Sequence, residues 1–479
     1  EYNVEDAIYF TGEETKNGQL TALDGRRGTL HVVPMVGRAA FESITGLDTG
    51  DPDLVAFLIG DDRGGAPLLL YVGQKGALGD GSFLDRNGLA VGNLFAWVSD
   101  TGDLSPEDWN GTGTSRSGAF VQVMQFDASM AGQSGYDAAG YADMDTLDDL
   151  YNDIGAFAFS RPEDLATNPT DGTQVVFAST GRDSLYPSDT WGTTYLIDVD
   201  FSGMDEGGAG VRADLTVLYD GDDAGGGQFP GPDYGLRNPD NLDWADDGYV
   251  YVQEDRTTSL FGQTSGHEAR IWQLDPVTGD LEDIAVVERG DENLPEDQSD
   301  GNPASLGAWE TSGILDVTEF FRAPKGATVL VLSVQAHTVR DGRIAEFDLV
   351  QGGQLVYLLG VPAGTPLADI PLDGLSFFEA MDRIKATAPP EAPERLGLTA
   401  SPNPFNWSAT ITYSVPSSAR VRIVVHDMLG REIATLADAH VEAGEHIAVF
   451  DGTDLPSGAY LVRMTTPGGE QTQRITLTK

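Results

Sequence analysis

The chain of 479 residues sets 28 Lys and Arg against 76 Asp and Glu, a formal charge of −48. A surface so negative repels phosphate backbones and anionic lipid headgroups, and no basic patch interrupts it, which excludes nucleic acid and a peripheral membrane surface as partners. The absence of cysteine removes disulfides, thiolate nucleophiles and sulfur-ligated metal sites together. No run of about 18 apolar residues offers a membrane span. Glu1 opens no basic and apolar signal segment, so the start reads as a processing site or a fragment boundary. The length exceeds the roughly 250–300 residues at which a single core stops growing, and more than one domain is expected.

Taken in chain order, short apolar runs between Gly- and Pro-rich turns read as buried strands. They are Leu54–Ile59, Pro67–Val72, Leu94–Val98, Gln174–Ala178, Thr194–Asp198, Tyr249–Gln253, Ala269–Leu274 and Thr328–Leu332. Helical periodicity is scarce; a short helix is expected among Asp143, Asp145, Asp148, Asp149 and Asp153, and Asp220, Asp222 and Asp223 lead into a Gly-rich loop. Neither cluster has the spacing of an EF-hand. Two spans share a deeper rhythm: Arg161–Ala178 and Asn238–Val252 each run from a Pro-acid step through an apolar residue and a polar turn into a strand. Repeats of this kind are the pattern of β-propeller blades, with the Pro-acid step at the entrance of the inner strand.

A Pro-rich stretch within 386–396 reads as an extended linker. It separates a first domain, residues 1–385, from a last domain, residues 397–479, of about seven short alternating strands that read as a small Ig-like β-sandwich. The predicted fold class is therefore all-β, a β-propeller followed by a sandwich. The charge divides unevenly. Residues 397–479 hold 6 basic and 8 acidic side chains, net −2, which leaves −46 for residues 1–396.

In the last domain, Ala400-Ser-Pro-Asn-Pro-Phe405, Val425-His-Asp-Met-Leu-Gly-Arg-Glu432, Gly444-Glu-His446, Asp454-Leu-Pro-Ser-Gly-Ala-Tyr-Leu461 and the terminal strand ending at Lys479 occur in a specific order. This closely resembles the C-terminal sorting domain of the type IX secretion pathway. The resemblance implies a Bacteroidetes-like Gram-negative cell, the type IX machinery as a partner, and release to the exterior or attachment at the outer surface.

In the first domain, Gly12-Glu-Glu14, Phe41-Glu-Ser43, Ile59-Gly-Asp-Asp62, Asp80–Gly88, Arg161-Pro-Glu-Asp164, Asn238-Pro-Asp-Asn241, Trp309–Asp316 and Gln335-Ala-His337 follow one another. Together they resemble the PhoX-type, calcium-dependent alkaline phosphatases, which form β-propellers. The resemblance implies a phosphate-ester substrate and calcium, with iron as a further cofactor. Hard cations such as calcium take six to eight oxygen ligands, and on the propeller reading Glu14, Glu42, Asp61, Asp62, Glu163 and Asp240 reach the channel mouth from different blades. Asp61 and Asp62 face opposite ways within a strand, so only a bend at Gly60 or Arg63–Gly65 lets both reach one ion. Each acid equally fits a turn cap or a solvated blade edge.

For phosphoryl transfer, Arg161, Arg256 and Arg270 are candidates to hold phosphate oxygens, and His337 is a candidate acid or ligand. No nucleophile elbow, phosphate loop or dinucleotide fingerprint is present, and Gly111-Thr-Gly113 reads as a turn. The alternative reading is non-enzymatic. A cysteine-free chain that carries its sorting domain to Lys479 also fits a homo-oligomeric or filament-forming building block, joined through open sheet edges.

Overall fold

The structure is a computed structural model that describes residues 4–205, 208–290, 294–321, 326–360 and 396–478, except 407, 417, 429, 442–443 and 454. It divides into two compact units, Glu1–Gly374 and Leu375–Lys479. The expected linker at 386–395 lies outside the described residues.

The first unit is built almost wholly from antiparallel strands. A three-stranded sheet contains β1 (Ile8–Gly12), β2 (Leu20–Asp24) and β3 (Thr29–Val32). A nine-stranded sheet follows, formed by β4 (Phe41–Leu47), β5 (Leu54–Asp61), β6 (Leu69–Gln74), β7 (Gly92–Ser99), β8 (Ser115–Val123), β9 (Pro162–Asn168), β10 (Asp171–Ser179), β11 (Thr193–Asp200) and β12 (Arg212–Asp220). A four-stranded sheet holds β13 (Pro239–Trp244), β14 (Val250–Glu254), β15 (Arg270–Leu274) and β16 (Leu281–Val286), and a three-stranded sheet holds β17 (Trp309–Asp316), β18 (Thr328–Ala336) and β19 (Gly352–Gly360).

The nine-stranded sheet is two blades in one. Its order, β4-β5-β6-β7-β8-β12-β11-β10-β9, makes β8 the shared outer strand between a β4–β7 half and a β9–β12 half. Its two end strands, β4 and β9, then meet at the centre of the unit: the Thr45 and Thr167 hydroxyls stand 2.7 Å apart, and Thr167 donates to the Gly46 carbonyl at 2.8 Å. The sheet is thereby almost closed on itself.

Why the strands read as unbroken apolar runs is now plain: the blades stack, and the nine-stranded and four-stranded sheets each have a core on both faces. On β5, Ala56 and Leu58 join the core enclosed by the nine-stranded sheet, while Val55, Phe57 and Ile59 join the core on its other face. The same period-two division recurs in β6, β7 and β10. The enclosed core is dominated by rings, with Trp97, Trp109, Phe157, Phe159, Phe177 and Tyr195 in mutual contact. The expected short helix is Met144–Ile154, capped by Asp143, whose carboxylate accepts from the Thr146 amide at 2.9 Å.

The second unit contains a three-stranded sheet of β20 (Gly397–Ser401), β21 (Ser408–Val415) and β24 (Gly444–Asp451). The four-stranded sheet is β23-β22-β25-β26, with β22 (Ala419–Asp427), β23 (Glu432–Val441), β25 (Gly458–Thr466) and β26 (Gly469–Leu477). Alternation places Ala409, Ile411, Tyr413 and Val415 in the core and Thr410 and Thr412 outside it. The Ser-Pro-Asn-Pro-Phe segment acts as a clasp: Phe405 is buried in the core, and Asn403 bonds the Arg474 carbonyl and the Thr476 amide of β26, each at 2.9 Å.

Trp97 is fully buried and donates to the Ala213 carbonyl at 3.1 Å, tying the two halves of the nine-stranded sheet. Trp97→Ala is expected to cost about 3–5 kcal/mol, read as a lowered denaturant midpoint; an unchanged midpoint would contradict this packing.

Candidate metal centre

The inner strands of four successive blades enter on one pattern. Each begins with a bulky apolar residue or proline and places a carboxylate second: Phe41-Glu42 on β4, Pro162-Glu163 on β9, Pro239-Asp240 on β13 and Trp309-Glu310 on β17. The first residue is buried in each case and anchors the strand end. The second, on the opposite side of the pleat, is thereby turned toward the common axis. Glu14, in the loop after β1, and Asp62, just after β5, complete the near side; oxygens of Glu14, Glu42 and Asp62 lie within 4.8 Å of one another. Asp255, just after β14, acts on both Asp240 and Glu310.

One guanidinium enters this group. Arg161 donates to both oxygens of Asp62, at 2.7 and 3.0 Å, and reaches Glu163 at 2.8 Å. Its position depends on a close backbone approach: a Cβ on Gly60 would stand 2.1 Å from the Glu163 carbonyl oxygen, so only glycine lets β5 pass β9 here.

The electrostatics record crowding. Burial, followed by repulsion from Glu14 and Asp62, pushes Glu42 up to about 8. Burial, with the Asp255 carboxyl beside it, pushes Glu310 up to about 10. Burial and then repulsion raise Glu163, from Asp240, and Asp240, from Asp255. Glu14 is raised by burial and by Asp62. Asp62 alone is lowered: burial works against its charge, and the Arg161 hydrogen bonds outweigh it.

Of the residues singled out from sequence, Glu14, Glu42, Asp62, Glu163, Asp240 and Arg161 gather in this centre. Asp61 does not. It is fully buried on the other face of β5, where it accepts from the Ala40 amide at 2.9 Å and from Arg63 at 2.6–3.1 Å, and Arg63 continues to Asp148. The alternation of the strand prevails over the bend that would have brought Asp61 to the axis, and its place among the ligands is corrected. Arg256 and Arg270 are likewise committed elsewhere, the first to Ser305 and the Leu306 carbonyl, the second to Asp283. His337 stands at the rim: Nδ1 donates to Gln351 Oε1 at 2.7 Å and Nε2 lies 3.4 Å from Glu310. Glu310 and Asp255 were not picked out from sequence, although Trp309-Glu310 repeats the strand-entry pattern of Phe41-Glu42.

The donor set is entirely oxygen, carboxylate-rich and convergent, which fits calcium. The other acidic groups have local work: Asp220 accepts from the Gly111 amide at 2.8 Å, and Asp223 from the Thr112 amide at 2.8 Å.

Residues 400–478 match the family model of the secretion system C-terminal sorting domain. The protein is therefore exported to the cell surface or the extracellular space. Among the described residues no helix is long and apolar enough to cross a membrane. No curated protein matches the chain. Among solved structures, PhoX of Pseudomonas fluorescens, in complex with vanadate as a transition state analogue, is similar at 18% identity and a TM-score of 0.45, over 66% of this chain and 52% of that one. PorZ of Porphyromonas gingivalis, an essential bacterial surface component of the type-IX secretion system, aligns over 98% of this chain and 58% of its own at 12% identity and a TM-score of 0.20. The chain thus spans little more than half the length of either.

Between the unfolded value of 4.5 and about 8, Glu42 keeps its proton in the folded chain and loses it in the unfolded one. The folded state binds more protons there, so without cations stability is expected to fall as pH rises through that window. Urea unfolding in chelator across it should show the loss, and Glu42→Gln should reduce the slope; a stability that climbs with pH would contradict the crowding.

Proposed function

We propose that this exported protein is a calcium-binding β-propeller that hydrolyses phosphate esters at the carboxylate centre. The observation that carries the reading is the convergence of Glu14, Glu42, Asp62, Glu163, Asp240 and Glu310 around Arg161. The ordered sequence motifs that contribute these residues support it. Carboxylates alone would define a cation site; a guanidinium among them adds a donor for an anion once their charge is neutralised. Phosphate is the anion class that a guanidinium fork suits best.

The chemistry calcium supplies when bound is charge neutralisation and Lewis-acid polarisation of a phosphoryl oxygen. Glu14, Glu42, Asp62, Glu163, Asp240 and Glu310 would hold it. Arg161, fixed from two sides by Asp62 and Glu163, orients the non-reacting phosphate oxygens. His337 donates Nδ1–H to Gln351, so Nε2 would supply a proton to the leaving-group oxygen as the imidazolium and be left with a lone pair afterwards.

Phosphomonoester and phosphodiester turnover, measured with calcium and then with chelator, tests the reading. Activity should require calcium, and Arg161→Ala should lower kcat/KM by about 10²–10³-fold, the range for removing a donor to developing charge. Metal-saturated protein with no turnover on either ester class would overturn it. Calcium at about one hundred times its Kd should also stabilise the fold by about 2.7 kcal/mol. Glu14→Gln should raise that Kd, and a melting temperature indifferent to calcium would count against the site itself.

A structural role is the second reading, favoured by β24. This edge strand of the sandwich exposes Ile447 and Val449 by 68% and 62%, an arrangement that invites a strand from a second copy. Sedimentation of concentrated protein with calcium decides it: assembly that Ile447→Lys disperses supports the role, and a monomer at every concentration overturns it.

A further inference from the structure

On β17 the residues on either side of Glu310 face away from the carboxylate centre. Trp309 and Thr311 turn instead into a cavity of about 640 Å³ between the last two sheets of the first unit. Its walls are mostly apolar, formed by Ile271 on β15, Val287 after β16, Leu332, Val334 and Ala336 on β18, and Val356 on β19, with Gln298 and Gln354 as polar members. A volume of this order is typical of sites for small organic molecules.

One polar group of the wall, Thr311, and a buried one outside the lining, Gln253, have no partner among the described residues. Thr311 is 3% exposed, lines the cavity, and its hydroxyl is unpaired. Gln253 is fully buried, and both ends of its carboxamide are unpaired. It lies opposite Ile271 in the β14–β15 ladder and so shares the face of the sheet that Ile271 presents to the cavity, without itself lining it. Buried donors and acceptors of this kind are rarely left unmatched. The Thr311 hydroxyl offers both a donor and an acceptor and is neutral.

The charge of the walls narrows the ligand further. Glu288, exposed at the edge, is the charged side chain among the lining residues, and no Lys, Arg or His is there. An anionic head would be desolvated without a counter-charge, and a cationic head would find no carboxylate at the inner wall.

We infer that this cavity is a binding site for an uncharged amphiphile, a molecule with a medium-length aliphatic body against the β15–β19 walls and a hydroxyl or carbonyl head at Thr311. This is independent of the phosphatase reading, since the two sites occupy opposite faces of β17.

Full-length protein titrated with the neutral fluorophore phenylnaphthylamine, then with dodecanol, dodecanoate or dodecyltrimethylammonium, tests the inference. Dodecanol should displace the fluorophore at concentrations at least about tenfold below those of either charged analogue. Thr311→Val, which keeps the shape and removes the hydroxyl, should weaken dodecanol about tenfold while the fluorophore still binds. Ala336→Trp should fill the cavity and abolish both; should that variant not fold, Val356→Trp on the edge strand makes the same test. Equal displacement by dodecanoate, full fluorophore binding in a folded cavity-filled variant, or an unchanged dodecanol affinity in Thr311→Val would each overturn the inference.

Discussion

Repulsion among carboxylates brought to one axis is the constraint to which the first unit answers. Two unit charges about 4 Å apart repel by about 4 kcal/mol at an effective dielectric constant of about 20. Glu14, Glu42 and Asp62 alone bring oxygens within 4.8 Å of one another, and Glu163, Asp240, Asp255 and Glu310 add to the load. A few such pairs match the roughly 5–15 kcal/mol by which a domain is stable. Full ionisation without a counter-charge is thus not an available state. The structure shows two of the three remedies, the Arg161 guanidinium and carboxyls pushed toward protonation; a bound cation is the third.

Such a centre needs a scaffold that does not relax, and the layered blades provide it. With a core on each face of the nine-stranded sheet, Phe57 cannot move without disturbing one packed layer, nor Leu58 without disturbing the other. The inner strands are bound to each other by side chains. Asp164 accepts from the Leu242 amide at 3.0 Å, Asn241 from Ser312 at 2.7 Å and the Gly313 amide at 2.6 Å, and Asp243 from the Asp316 amide at 2.6 Å. Polar residues on the inner strands therefore serve two ends: those at the entrance create the charge problem, and those just beyond it hold the strands against it.

The near-neutral second unit obeys different demands. The net −2 of residues 397–479 against −46 for residues 1–396 ties the acidity to the first unit, whereas adaptation of the whole chain to salt would acidify both. The motifs that mark it as a sorting domain have structural work of their own: Phe405 seals the core, Asn403 clasps the last strand, and Tyr460 folds back to the Pro456 carbonyl at 2.8 Å.

Strand positions were legible because burial on both faces leaves unbroken apolar runs, as at Leu54–Ile59, and because alternation leaves its own pattern, as in Thr410–Val415. The Pro-acid step at Glu163 and Asp240 was legible as a repeat, and the opposed faces of Asp61 and Asp62 followed from the pleat. The sequence by itself thus determined the all-β class, the sorting domain, the charge division and the supply of oxygen ligands, since each rests on local pattern or composition. Tertiary structure alone decided that Asp61 belongs to Arg63 and Asp148, that Arg161 sits among the acids, and that Asp255 and Glu310 join them. Those outcomes depend on which strand ends converge, and residues as far apart as Asp62 and Arg161 become neighbours only when the nine-stranded sheet curls until β4 meets β9.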